Sequence, residues 1–170
     1  MLEYPLVFLD LETTGATPAS DRITEIGLVE VEQGTPRERW SQLVNPQTRI
    51  PPYIETLTGI TSAMVENAPT FEQLAPQLFQ RLQGKILVAH NARFDYAFLK
   101  NEFRRCGITF NARVLCTVKL SRKLYPMHAR HNLDTLIERH AIADALNGEA
   151  RHRAMGEDRK STRLNSSHVS

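Results

Sequence analysis

The stretch Leu6-Val7-Phe8-Leu9-Asp10-Leu11-Glu12-Thr13-Thr14 is an apolar run of strand length interrupted twice by carboxylates. Side chains alternate faces along a strand, so Asp10 and Glu12 leave from one face, about 7 Å apart along the chain. They stand at the strand's C-terminal end, where open sheets place ligands. Two negative charges beside apolar surface repel each other, and a cation is the usual remedy. Hard oxygen donors without cysteine favour Mg²⁺ or Mn²⁺ over Zn²⁺. The plainer reading stays open at this point: one carboxylate caps the Thr13-Thr14-Gly15 turn and the other meets solvent.

The rest of the chain offers partners for this strand. Residues 22–34, RITEIGLVEVEQG, alternate Ile23, Glu25, Val29 and Val31 with other residues before a glycine turn. RERWSQLVNP then reads as a hairpin partner, giving a three-stranded antiparallel meander. PPYIETLTGIT has proline at a helix start and glycine near its end, and APTFEQLAPQLFQRLQG places Phe71, Leu74, Leu78 and Leu82 at helical spacing. Pro76 inside that pattern predicts a kink or a restart. KILVAH is a fourth strand, buried and parallel. ARFDYAFLKNEFRRCGI is an amphipathic helix closed by Gly107, ARVLCT a fifth strand, and two helices follow at about 116–124 and 132–140. This order predicts an α/β fold with a mixed five-stranded sheet flanked by helices.

Length and composition narrow the class. At 170 residues the chain fits one domain able to bury a core. No apolar run approaches the roughly 20 residues of a membrane span, and MLEYPLVF lacks the basic start and cleavage site of a signal peptide. The expectation is a cytoplasmic protein with no membrane contact, in which Cys106 and Cys116 are inert thiols. Charge is unevenly spread: residues 1–92 hold six Lys/Arg against eleven Asp/Glu, and residues 93–153 twelve against six. Such a division suits a site that gathers cations beside a surface that meets phosphates, although ordinary solvated surface would also produce it.

A third carboxylate, Asp95, follows the second strongly apolar strand in AHNARFD and opens a helix, where the helix dipole favours an acid. That preference leaves unexplained why His90 and Asn91 sit at the strand end with Phe94 beside them. Near the other end His152 precedes Glu157 and Asp158.

Taken together, FLDLETTG, VAHNARFD, TLTGIT with APTFEQ, CTVKLSRKLYP with HNLDTLIERHAI, and RHRAMG resemble the DEDDh 3′–5′ exonuclease family, the branch that includes the epsilon proofreading subunit of bacterial DNA polymerase III. The resemblance covers residues 4–156. It implies a ribonuclease H-like fold and two divalent metal ions, Mg²⁺ or Mn²⁺, held by four carboxylates, with a histidine as general base. Carried over by position, Asp10, Glu12 and Asp95 match three metal ligands and His152 matches the base. Thr13 and Thr14 match the stretch that contacts the terminal nucleotide, mainly through backbone. Leu57, His90 and Asn91 are further candidates for substrate contact. A related branch uses tyrosine as the base; no tyrosine precedes the last carboxylates here, which favours the histidine type.

Two other groups of residues stand outside this set. Phe94 reads as core, and Tyr96 as core or as a group stacking on a frayed end. His128, His131 and His140 read as surface residues of a basic region in which Arg104, Arg105, Lys119, Arg122, Lys123 and Arg130 would track a phosphate backbone.

The chain departs from the family where the fourth ligand belongs. The family places an aspartate five residues after the histidine; here that position is Glu157, and Asp158 stands one further. One extra helical residue rotates a side chain by about 100° and advances it by about 1.5 Å, so Asp158 cannot take the same seat. Glu157 keeps the angle but is one methylene longer, and Mg²⁺ tolerates misplaced ligands poorly. Either residue stands as the candidate. Residues 159–170, RKSTRLNSSHVS, have no helical apolar spacing and resemble translated vector or adaptor sequence. The expectation is an exonuclease domain over residues 1–158 whose closing helix is truncated, followed by a disordered, non-native tail.

The function implied is hydrolysis of DNA from the 3′ end to nucleoside 5′-monophosphates, in proofreading or repair, on a single-stranded or frayed 3′ end. A DNA polymerase or a fused nuclease domain would be the partner. The rivals are an RNA exonuclease of the same family and a nucleic-acid-binding module weakened by the displaced ligand.

Overall fold

A computed structural model describes residues 4–141. The truncated closing helix, the tail at 159–170, His152, Glu157 and Asp158 all lie outside the described residues. Contacts divide the chain into a unit ending at Thr117 and a second beginning at Val118.

The first unit is built on the expected five-stranded sheet. Strand β1 (Leu6–Thr13) lies at its centre, antiparallel to β2 (Ile23–Glu32), which pairs in turn with β3 (Thr35–Leu43). On its other side β1 runs parallel to β4 (Ile86–Ala89), and β4 to β5 (Arg113–Cys116), giving the order β3-β2-β1-β4-β5. Parallel neighbours need a crossover. The segment from β3 to β4 supplies α1 (Pro52–Thr58), α2 (Ser62–Val65) and α3 (Phe71–Leu82), and α4 (Ala92–Arg105) joins β4 to β5.

The core lies on the face of β1 that carries Val7, Leu9 and Leu11, where Phe71, Leu78, Phe98, Leu99 and Phe103 of α3 and α4 pack. Phe103 sits at the centre of an aromatic cluster, edge-on to Phe71 at 5.1 Å and tilted against Phe110 at 4.8 Å. Phe94 packs on Phe98 at 4.8 Å, in accord with its reading as core. Tyr96 packs against the same core, its ring 6.2 Å from that of Phe110, and its hydroxyl oxygen accepts from the Ala112 amide at 3.4 Å.

Two details differ from the sequence reading. Helix α3 runs through Pro76 without a restart. Pro76 and Glu72 are on the solvent side, so water can satisfy the Glu72 carbonyl that proline leaves without its helical donor. In β2 the alternation suggested one apolar face through Ile23, Val29 and Val31, but the pairs Leu9 with Leu28 and Leu11 with Ile26 put Ile26 and Leu28 into the main core. Val29 and Val31 pack on the opposite face with Leu6, Ile86 and Val88. A register irregularity at Glu12/Thr13 returns Ile23 to the main core.

The second unit, described up to residue 141, contains most of α5 (Thr117–Leu124) and all of α6 (Leu133–Arg139). Asn132 caps α6 by accepting from the Thr135 amide at 2.9 Å. His131 is half-buried and links the buried Ser121 hydroxyl, 2.8 Å from Nδ1, to the His128 carbonyl, 2.9 Å from Nε2. His128 and His140 are exposed, as expected. No helix among the described residues is long and apolar enough to cross a membrane.

Candidate active site

Asp10 and Glu12 stand where β1 outruns β4. The two strands pair only from Leu6 to Phe8, so Asp10 and Glu12 extend past the last paired residue on that side. Both lie on the face opposite the main core, with Asp10 exposed and Glu12 half-buried. Across the antiparallel pair Gly27 stands opposite Asp10 and offers no side chain, while Glu25 stands opposite Glu12. Glu25 was not singled out by the sequence; only the strand register reveals that it adds a third carboxylate to this end of the face.

Strand β4 ends by turning sharply. Asn91 adopts a left-handed conformation, φ 68° and ψ 45°, and serves as the N-cap of α4 without a side-chain capping bond. This conformation suits asparagine better than most residues. It redirects the chain so that the first turn of α4 brings Asp95 back to β1. His90, at the strand end, is held by Thr117: its Nδ1 is 2.9 Å from the Thr117 hydroxyl, which also donates to the Ala89 carbonyl at 3.3 Å.

Asp95 is the most perturbed group of the site. Its side chain is 5% exposed. Burial first, then the charge of Asp10, and to a lesser extent that of Glu12, push its carboxyl up from 3.8 to about 8, while backbone N–H groups of Asp95 and Leu11 act in the opposite sense. Three carboxylates from two elements therefore feel one another, and together they oppose ionisation of the buried one. They are not gathered around one point: among the described residues no three His, Cys, Asp or Glu side chains are grouped closely enough to hold a metal ion. Repulsion among like charges is a physical reason for such spacing. The all-oxygen donor set and the buried carboxyl pushed towards its neutral form nevertheless fit a divalent cation, which would favour ionisation of Asp95 instead of opposing it.

The loop after Glu12 is rigidly built. Thr13 and Thr14 are buried, and their hydroxyls are engaged internally: Thr13 donates to the Gly15 carbonyl at 2.6 Å, and Thr14 accepts from the Arg22 amide at 3.0 Å. The Thr14 amide donates to the Arg22 carbonyl at 2.8 Å. A side chain at Gly15 would collide with the Asp21 carboxylate, which accepts from the Thr17 amide at 2.8 Å and closes the loop. Leu57, in α1, is half-buried against a small cluster of Ile50, Ile54, Ile60 and Val65.

Two supporting residues escaped the sequence reading. Glu102, 1% exposed, accepts from Arg22 Nε at 2.8 Å and Nη2 at 3.1 Å, and from the Ile23 amide at 3.3 Å. The signal was present: in Phe98-Leu99-Lys100-Asn101-Glu102-Phe103 a glutamate occupies a position of the apolar stripe. Arg105, read as a phosphate-tracking residue, instead donates to the Pro18 and Ala19 carbonyls at 3.3 and 2.7 Å. An open hollow lined by Gly84, Lys85, Asn111, Ala112 and Arg113 lies at the opposite ends of β4 and β5 and includes none of the candidates.

Comparison with known proteins agrees with this layout. The RNase T exonuclease model matches residues 7–158, a range that takes in His152, Glu157 and Asp158. The PolC-type DNA polymerase III of Caldanaerobacter subterraneus subsp. tengcongensis is 41% identical over 137 residues, 81% of this chain and 10% of its own length. The 3′-5′ exonuclease DinG of Bacillus subtilis is 43% identical over 140 residues, 81% of this chain and 15% of its own length. The chain thus spans 10 to 15% of the length of these curated relatives. Among solved structures, exonuclease X in complex with 5′ overhanging duplex DNA superposes with a TM-score of 0.63 at 30% identity, covering 80% of this chain and 73% of that one. The sheet is that of a ribonuclease H-like exonuclease, from a family of exonucleases that depend on divalent metal ions. The match across residues 7–158, with Asp10, Glu12 and Asp95 brought to one end of the sheet, means that the chain belongs to the RNase T exonuclease family.

Proposed function

We propose that this chain is a 3′–5′ exonuclease domain that hydrolyses DNA from the 3′ end to nucleoside 5′-monophosphates and uses two divalent ions, Mg²⁺ or Mn²⁺. The observation that carries the reading is the buried carboxyl of Asp95, held against the charges of Asp10 and Glu12 with its ionisation opposed. Asp10, Glu12 and Asp95, with Glu157 or Asp158, would hold the ions. When bound, such ions lower the pKa of water and offset the charge that builds on the reacting phosphate.

The chain's own residues supply the remainder. His152 is the base that takes the proton from the attacking water, a task that suits histidine because the reference pKa of an imidazole, about 6.5, lies near working pH. The water oxygen bonds to phosphorus, the bond to the 3′-oxygen breaks, and that oxygen leaves with a proton from solvent. The rigid Thr13-Thr14-Gly15 backbone fixes the terminal nucleotide, with Leu57, His90 and Asn91 beside it. The internal bonds of both threonine hydroxyls support contact through backbone over contact through side chains.

Proofreading or repair in the cytoplasm is the setting, and the names of the relatives favour a polymerase or a nuclease as the larger context. The family match ends at residue 158, which supports a domain boundary there. The spacing of Glu157 and Asp158 favours one second reading, a module that binds nucleic acid without cutting it.

The test is a 5′-labelled single strand of DNA or RNA incubated with Mg²⁺, Mn²⁺ or EDTA. The expected result is a stepwise ladder on DNA that vanishes with EDTA and with Asp10→Ala. Binding without a ladder in either metal would overturn cleavage by this chain, and a ladder on RNA alone would reassign the substrate.

A further inference from the structure

Helix α4 carries Asp95 in its first turn and Glu102 two turns later, on the same buried stripe. What fixes Glu102 therefore fixes the rotation and axial position of Asp95. Glu102 is held by Arg22 in a two-pronged contact at 2.8 and 3.1 Å and lies 3.4 Å from Arg105 Nη1. Arg22 immediately precedes β2 and is joined to Thr14 by two hydrogen bonds, of 2.8 and 3.0 Å, and Thr14 stands two residues beyond Glu12. A continuous path thus runs from Glu12 through Thr14, Arg22 and Glu102 to Asp95. Arg105 extends it to the loop after Glu12 through the Pro18 and Ala19 carbonyls.

A buried ion pair is a poor device for stability alone. The two charges lose their hydration, and well-packed apolar residues of similar size do as well or better. Its particular strength is geometric, because a guanidinium meets a carboxylate in one orientation whereas an ammonium accepts many. The chain contains a natural control. Arg81 in α3 bonds to Glu30 at 2.8 Å and to Glu38 at 2.7 Å, but joins α3 to the β2–β3 hairpin, and neither carries Asp10, Glu12 or Asp95.

We propose that Arg22 and Glu102 are positioning residues that hold the α4 carboxylate Asp95 in register with Asp10 and Glu12 on β1, so that the three can share divalent cations. The inference rests on the metal-dependent reading of the site. Loss of the fork lets α4 shift against β1 while the core contacts of Phe98, Leu99 and Phe103 keep the helix docked.

The experiment compares Arg22→Lys with Arg81→Lys in the full 170-residue chain, by following free Mn²⁺ by electron paramagnetic resonance as protein is added. Arg22→Lys is expected to raise the half-saturating Mn²⁺ concentration by roughly tenfold or more, the usual effect of losing a residue that orients metal ligands. Arg81→Lys is expected to lower the melting temperature and leave Mn²⁺ binding as in the parent. If Arg22→Lys does not fold, Arg22→Met/Glu102→Leu removes the pair without stranding a buried charge, and the same weakening is expected. Mn²⁺ binding equal to the parent in the folded Arg22 variant, or an equal loss in Arg81→Lys, overturns the positioning role alone. A parent chain that takes up no Mn²⁺ overturns this inference and the functional reading together.

Discussion

Glu102 and Asp95 are both buried carboxylates on one face of α4, and they are treated in opposite ways. Glu102 faces Arg22 and Arg105, and farther off Glu30 faces Arg81 and Lys85 in the same manner. Asp95 faces Asp10 and Glu12. Pairing removes most of the cost of burying a charge, and like charges add to it. The proposed cation site rests on this contrast, a buried acid set among like charges where the fold elsewhere pairs its buried acids.

The largest effect should come from the acids proposed to share the cations. Asp95→Ala or Asp10→Ala should lower cleavage of a single-stranded DNA by about three orders of magnitude, since metal-assisted charge stabilisation amounts to several kcal/mol. Both variants should keep the parent's circular dichroism. A variant that cuts normally would remove that carboxylate from the site.

Breaking the paired acid should do the reverse to stability. Glu102→Ala strands Arg22 against a buried surface and should cost about 3 kcal/mol in urea denaturation, within the range for a buried pair that loses one partner. Arg81→Ala should cost less, about 1 kcal/mol, because Glu30 keeps Lys85 and is nearer water than Glu102. Equal losses would erase the distinction between the two clamps.

The pH response sharpens the contrast. In EDTA, Asp95 has a folded value of about 8 against an ordinary 3.8, so the folded state binds a proton more tightly than the unfolded chain does. Its contribution to stability is full below about pH 4 and is lost as pH rises through about 8. Melting temperature should therefore fall between pH 5 and 8.5 in the parent and fall less in Asp95→Asn. Glu38, lowered chiefly by its bond to Arg81, and Glu55, lowered by Ser62, oppose the trend only at lower pH. A parent and an Asp95→Asn variant with parallel profiles would contradict the unpaired state of Asp95.

The smallest effect should be at the loop. Gly15→Ala forces the Asp21 carboxylate away and endangers its bond to the Thr17 amide, for a loss of about 1 kcal/mol. The same variant should raise KM for DNA more than it lowers kcat if the loop holds the terminal nucleotide.

The sequence made much of this legible, for physical reasons that also mark its limits. Two apolar runs, around Leu9 and around Leu87, could only be central strands, and Asp10 and Glu12 inherited one face from the strand period. Asp95 was legible as a motif but not as a perturbed acid, because its burial comes from α4 packing on β1 across 85 residues of chain. Arg22 and Glu102 were invisible as a pair for the same reason, although a glutamate among Phe98, Leu99 and Phe103 was a local sign of something that had to be satisfied. The division of β2 between two cores was misread because each of its faces carries apolar residues, so alternation alone could not rank them. Glu25 gained meaning only from its register opposite Glu12.

The central claim is that Asp10 and Glu12 at the end of β1 and Asp95 at the start of α4 form a cation site. Its most direct test is calorimetric titration of the chain with Mn²⁺ at pH 7.5, set beside Asp95→Ala and Glu102→Gln. The account predicts saturable binding in the parent that is lost in Asp95→Ala and only weakened in Glu102→Gln. Undiminished binding in Asp95→Ala would contradict it.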